Sequence, residues 1–163
     1  MNDPWKNLSG KHNYYIGYLD YFAHQVGYAF EEMCKTPCNI YYVLDSFLAG
    51  SVFEAVHELG NPKYLNMSHR QLIECISYDD KLIWWETKPV EEVDWTIAWW
   101  VGNILAIFQW RYSIDFRDWL KYFSTKDVFN MYYPLHEASF QNASEKLYEM
   151  YRTSKRKNLT RNK

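Results

Sequence analysis

Glycine and proline are scarce in this 163-residue sequence, at six and five residues. The six glycines are scattered, so no glycine-rich loop cradles a phosphate, and no Gly-x-Ser-x-Gly elbow presents a serine nucleophile. Cysteine is scarcer still. Cys34, Cys38 and Cys75 are an odd set, which argues against a disulfide scaffold and for a reducing, cytoplasmic setting. Cys34 and Cys38 lie four apart, but no second close Cys or His pair completes a zinc set, and His57-Glu58 lacks a second histidine of the metalloprotease helix. No arginine precedes a histidine at the spacing of helical ribonucleases. The start, Met-Asn-Asp-Pro-Trp-Lys, has no apolar signal region, and no apolar run reaches transmembrane length. Alternating strand patterns and internal repeats are missing too. Neither a metal nor a cofactor nor a catalytic residue is therefore expected, and the balance leans against an enzyme.

Aromatic side chains are abundant, 20 % of the chain. Each buries about 150–250 Å², so thirty-two of them supply much of a core and leave a surplus for the surface. Net charge is −2, unevenly spread. Residues 152–163 hold six basic and no acidic groups, leaving twelve basic against twenty acidic groups before them. A body near −8 argues against nucleic-acid binding by the globular part; the basic tail reads as a frayed, solvated helix end, with a contact to phosphate or an acidic partner as the sharper alternative. The neighbouring carboxylates Glu31-Glu32, Asp79-Asp80 and Glu91-Glu92 point about 100° apart on a helix and read as solvated surface.

The organising stretch is Trp95–Tyr112. Asp94 offers an N-cap, Arg111 puts positive charge in the last turn, and sixteen uncharged positions separate them. A helix apolar all round is buried, and these sixteen positions span about 24 Å, short of a bilayer. Ala98, Gly102 and Ala106 form a small-residue stripe along which a second helix can approach closely. Thr96, Asn103 and Gln109 are the polar exceptions; buried, they require hydrogen bonds.

The pattern predicts an all-α single-domain bundle of about seven short helices around this central one. Residues 1–12 form a loose N-terminus that Trp5 pins, 13–151 the helical domain, and 152–163 a basic tail. Tyr14–Met33 is the first helix, with Tyr15, Tyr18, Leu19, Phe22, Val26, Ala29, Phe30 and Met33 on its inner face. Pro37 breaks it. Helices follow over Ile40–Leu48 and Val52–Leu59, the latter capped by Ser51 with Glu54 and closed by Gly60. Ser68 with Gln71 opens the next. Residues 77–93 leave open a short strand, an extended loop or one helical turn. Phe116–Phe123, a helix opened by Ser124 and Asp127 and stopped by Pro134, and Phe140–Tyr151 capped by Ser139 complete the domain.

The most site-like residues by type are Gln109, Trp110, Arg111 and Tyr112, together with Tyr132, Tyr133, His136 and Glu137. Both groups fall at helix ends, and Arg, Tyr and Trp are enriched at binding hot spots. In the bland reading Arg111 caps carbonyls or pairs with Glu137 or Asp115. The sharper alternative is a polar pocket near Asn103, Gln109, Arg111 and His136, serving an enzyme or a small-ligand binder.

Three passages, Gly60-Asn-Pro-Lys-Tyr-Leu65 with the Met67-Ser68 helix start, Trp99 to Gln109-Trp-Arg111, and Met131-Tyr-Tyr-Pro-Leu-His-Glu-Ala138, resemble a family of small, uncharacterised helical bacterial proteins. The likeness spans about Tyr18 to Ala143. This chain departs from the family at His69, where a small residue is usual, and in reading Trp95-Thr-Ile-Ala-Trp99 where the family has Trp-x-Gly-Trp. Members are often encoded in toxin–antitoxin-like or defence-related gene neighbourhoods, so the resemblance implies a binding or neutralising role. The expectation is a non-enzymatic protein-binding module, antitoxin-like or an inhibitor, that covers a protein partner's surface and displays an aromatic patch of several hundred Å².

Overall fold

A computed structural model describes residues 16–58 and 62–162. The expectations for Trp5, residues 1–12 and the Gly60 terminator lie outside them. Ten α-helical segments occur among the described residues: α1 (Ile16–Cys34), α2 (Ile40–Ala49), α3 (Ser51–Glu58), α4 (Pro62–Leu65), α5 (His69–Tyr78), α6 (Ala98–Tyr112), α7 (Phe116–Trp119), α8 (Thr125–Asn130), α9 (Tyr132–Leu135) and α10 (Phe140–Arg161). Two 3-10 turns, Trp84–Glu86 and Trp95–Ile97, join them. The chain is all-α, as its sequence pattern requires, and none of these helices is long and apolar enough to cross a membrane.

Helix α6 is the axis. Thirteen of its fifteen residues are buried, with only Trp99 and Tyr112 half-buried. Helix α1 crosses it at backbone contact: a Cβ added to Gly102 would stand 2.7 Å from the Gly27 Cα and 2.8 Å from the Val26 carbonyl oxygen. The small stripe of Ala98, Gly102 and Ala106, all buried, makes that approach possible. Helix α10 packs along α6 through Ala143, Ser144, Leu147 and Tyr151, which are buried. Around Phe53 three rings gather, Phe22, Phe47 and Phe116, at centroid distances of 5.1–5.8 Å.

Several local expectations are revised. Thr96 is exposed, not a buried polar group, because it lies in the 3-10 turn before α6, where its backbone N–H and hydroxyl both donate to the Asp94 carboxylate. Tyr18 faces solvent, since the inner face of α1 follows Leu19, Phe22, Ala23 and Val26. Ser51 does not cap α3. It is the helix's first residue, and its N–H donates across the fold to Asp80. Residues 79–94 are mostly extended loop, with the single turn at Trp84–Glu86. Two four-residue helices, α4 and α9, start at or contain Pro62 and Pro134, because a first-turn residue needs no intrahelical N–H bond. The last helix does not end near Tyr151: α10 carries the basic segment as helix to Arg161.

Candidate partner-binding face

Helix α1 turns its apolar side to α6 and leaves an aromatic stripe outward. Tyr18, Tyr21 and Tyr28 are 48 %, 42 % and 45 % exposed, and His24 is exposed between them. The start of α6 completes this face. The half-buried Trp99 ring lies 5.5 Å from His24 and 6.3 Å from Tyr28, and Tyr28 lies 6.0 Å from the His69 ring at the start of α5. Just past the end of α1, the Lys35 ammonium sits 4.2 Å from the centre of the exposed Trp95 ring while pairing with Glu31 at 2.9 Å.

Hydrogen bonds fix the His69 ring. The His69 backbone N–H donates to the Gln25 side-chain oxygen at 2.7 Å, its Nδ1 lies 3.3 Å from the same oxygen, and its Nε2 is 3.0 Å from a Glu32 carboxylate oxygen. Gln25 and Glu32 come from the outer side of α1, so the start of α5 is tied to the aromatic stripe. Large rings already immobilised lose little freedom on binding, and Tyr and Trp offer apolar area with a polar tip.

The residues singled out from sequence occupy two separate places. Gln109, Trp110 and Arg111 are 2 %, 4 % and 3 % exposed, so burial persists through the end of α6. Gln109 donates to the Phe53 carbonyl at 2.9 Å, tying α3 to α6. Arg111 donates through Nη1 to the Gln141 carbonyl at 2.8 Å and the Ser144 hydroxyl at 2.5 Å, so it holds α10 rather than pairing with Glu137 or Asp115. Tyr112 lies under the Arg111 guanidinium and stacks on Tyr148 at 4.2 Å. Tyr132 instead packs edge-on against Trp100 at 5.4 Å, and the exposed His136 stacks on Tyr132 at 4.5 Å with Nδ1 against the Tyr132 and Tyr133 carbonyls. Tyr133 and Glu137 are exposed. Trp100 and Arg111 are about 16 Å apart along α6, so the two groups do not form one site. Asn103 is buried and donates to the Trp99 carbonyl at 2.9 Å. Asn103, Gln109, Arg111 and His136 thus turn to four different partners and enclose no common pocket.

A polar crevice of about 450 Å³ opens where α6 ends, lined by Tyr112, Ser113, Asp115, Asp118, Tyr148, Tyr151 and Lys155 among others. Its charges satisfy one another. Asp118 accepts from the Tyr151 hydroxyl and from Lys155, the latter at 2.9 Å. Desolvation alone would raise the Asp118 carboxyl, but these hydrogen bonds overcome it and hold the group below its usual range. Burial and the same carboxylate push the Tyr151 phenol up to about 12. A phenol that stays protonated at neutral pH is no base, so this network is a latch between α7 and α10. The thiols are similarly quiet, since burial raises Cys34 to about 12 and Cys75 to about 11. Among the described residues no group of three or more His, Cys, Asp or Glu side chains is placed to hold a metal ion.

The outward stripe of α1 was legible only in part. Tyr21, His24, Tyr28 and Glu32 recur at helical spacing opposite the apolar face, but nothing in the chain order announces that Trp95, Trp99 and His69 join them. Comparison with protein-family models, curated proteins and solved structures finds no match.

Proposed function

We propose that the protein is a non-enzymatic binding module, antitoxin-like, that neutralises a protein partner by covering its surface with the aromatic face of α1. The observation that supports this most is the set of rings that meets on one face: Tyr21, His24 and Tyr28 exposed on α1, the exposed Trp95, and the half-buried Trp99 and His69 from the starts of α6 and α5. Such residue types dominate the energetics of protein interfaces. The acidic character of the body favours a partner with a basic functional surface.

The test is co-expression with the product of the neighbouring gene. Wild type is expected to co-purify with it at fixed stoichiometry and to relieve any growth defect it causes. Tyr28→Ala with Trp95→Ala should weaken the complex at least 10-fold, because two central aromatic truncations cost about 2 kcal/mol or more together. Full binding by the double variant, or failure of the two products to associate, refutes the proposal.

A further inference from the structure

We infer that the groove between the Lys121–Tyr122 turn and the C-terminal half of α10 binds the phosphodiester backbone of a nucleic acid. The groove has a volume of about 330 Å³ and is lined by Lys121, Tyr122, Ser154, Lys157, Asn158 and Arg161. All six belong to the residue types through which proteins hold phosphate oxygens, and three are cations. No carboxylate lines the groove, so it offers no counter-charge to an approaching phosphate.

Two of the three cations are uncommitted within the fold. Lys121 pairs at 3.4 Å with Asp118, a carboxylate that also accepts from Tyr151 and Lys155. Lys157 and Arg161 make no ion pair among the described residues. They sit one helical turn apart, on the same side of α10, about 6 Å along the axis. The Asn158 side-chain amide donates to the Tyr122 hydroxyl at 3.4 Å across the groove, linking its two walls. Because α10 is one continuous helix to Arg161, these charges stand at fixed spacing instead of on a loose tail. A guanidinium fork flanked by ammonium, hydroxyl and amide donors matches a tetrahedral oxyanion. Lys157 and Arg161 on one wall with Lys121 on the other give the groove more than one cationic contact, which suits a chain of phosphates better than a single one. The acidic body repels the same polymer elsewhere, which confines binding to this edge. The inference does not depend on the aromatic face of α1.

Fluorescence anisotropy with a short labelled single-stranded oligonucleotide at low salt tests it. Binding should weaken with salt with a log–log slope of about −2, as expected for about three phosphates. Lys157→Ala with Arg161→Ala should reduce affinity at least 10-fold and flatten the slope by about 1.4. Arg152→Ala with Arg156→Ala, the same charge change outside the groove, should cost less than about a third of that effect on a logarithmic scale. All four positions are exposed, so thermal melts should be unchanged. Equal losses in the two double variants, competition by polyglutamate as effective as by unlabelled oligonucleotide, saturation by pyrophosphate at matched phosphate concentration, or no binding by wild type would each overturn it.

Discussion

A methyl group at position 102 has nowhere to go. Its nearest neighbours are the Gly27 Cα, the Val26 carbonyl oxygen and the Gly27 nitrogen, all backbone and all within 2.9 Å. Rotamer changes cannot relieve such a contact; only separation of α1 from α6 can. Gly102→Ala should therefore destabilise the protein by about 3 kcal/mol despite alanine's better helix propensity, which offsets roughly 1 kcal/mol. Urea denaturation measures it, and an unchanged midpoint would mean that the two helices are not in backbone contact. At the same scale, Asn103 shows why a polar residue survives in the core. Its amide donates to the Trp99 carbonyl beside Gly27, on the far side of the same crossing.

Two carboxylates that tie elements together respond to pH in opposite directions. Asp118, in the latch between α7 and α10, has its carboxyl below the ordinary 3.8, so its contribution is present above that value and lost as pH falls through the lower folded one. Asp45, on α2, accepts from the Thr125 N–H at 2.8 Å at the start of α8, but burial outweighs that bond and raises its carboxyl. Its contribution is present below 3.8 and lost as pH rises through the raised value. Stability measured from pH 2 to pH 7 should show Asp118→Asn losing ground to wild type as pH rises toward about 3.8, with the gap levelling off above that value. Asp45→Asn should gain ground over the window just above it. Parallel curves for either variant would refute the assignment. Elements of this kind were unevenly legible. The capping boxes Ser68–Gln71 and Ser124–Asp127 form as their spacing announces, because a box is a local device. The Ser51–Glu54 pattern is equally local, yet Asp80, twenty-nine residues away, supplies the acceptor instead. The small stripe on α6 was readable and its partner helix was not. Gln109, Trp110 and Arg111, singled out because they fall at a helix end, prove buried, and α10 covers that end through Gln141 and Ser144, which accept from Arg111.

Over the whole molecule, the three thiols report on global opening. They sit at the end of α1, just before α2 and within α5, and burial raises all three. At pH 8 the native protein should react with a thiol-specific disulfide reagent at least 100-fold more slowly than the urea-unfolded chain, with all three cysteines released together on unfolding. Fast modification of one thiol in native protein would show a local opening instead. Shape and charge also divide the molecule. Exposed rings gather on the outer face of α1 and exposed cations on the C-terminal half of α10, so the two proposed surfaces share no residue.

The crossing of α1 and α6 sets a constraint on how the chain folds as well as on how stably. Residues 27 and 102 are 75 apart in sequence, and α2 to α5 lie in the loop they close. Closing such a loop costs about 4 kcal/mol in chain entropy before any contact rewards it. The two helices that meet most closely thus cannot come together until α6 has left the ribosome, and until then the apolar side of α1 is covered only in part, by rings of α2 and α3 such as Phe47 and Phe53.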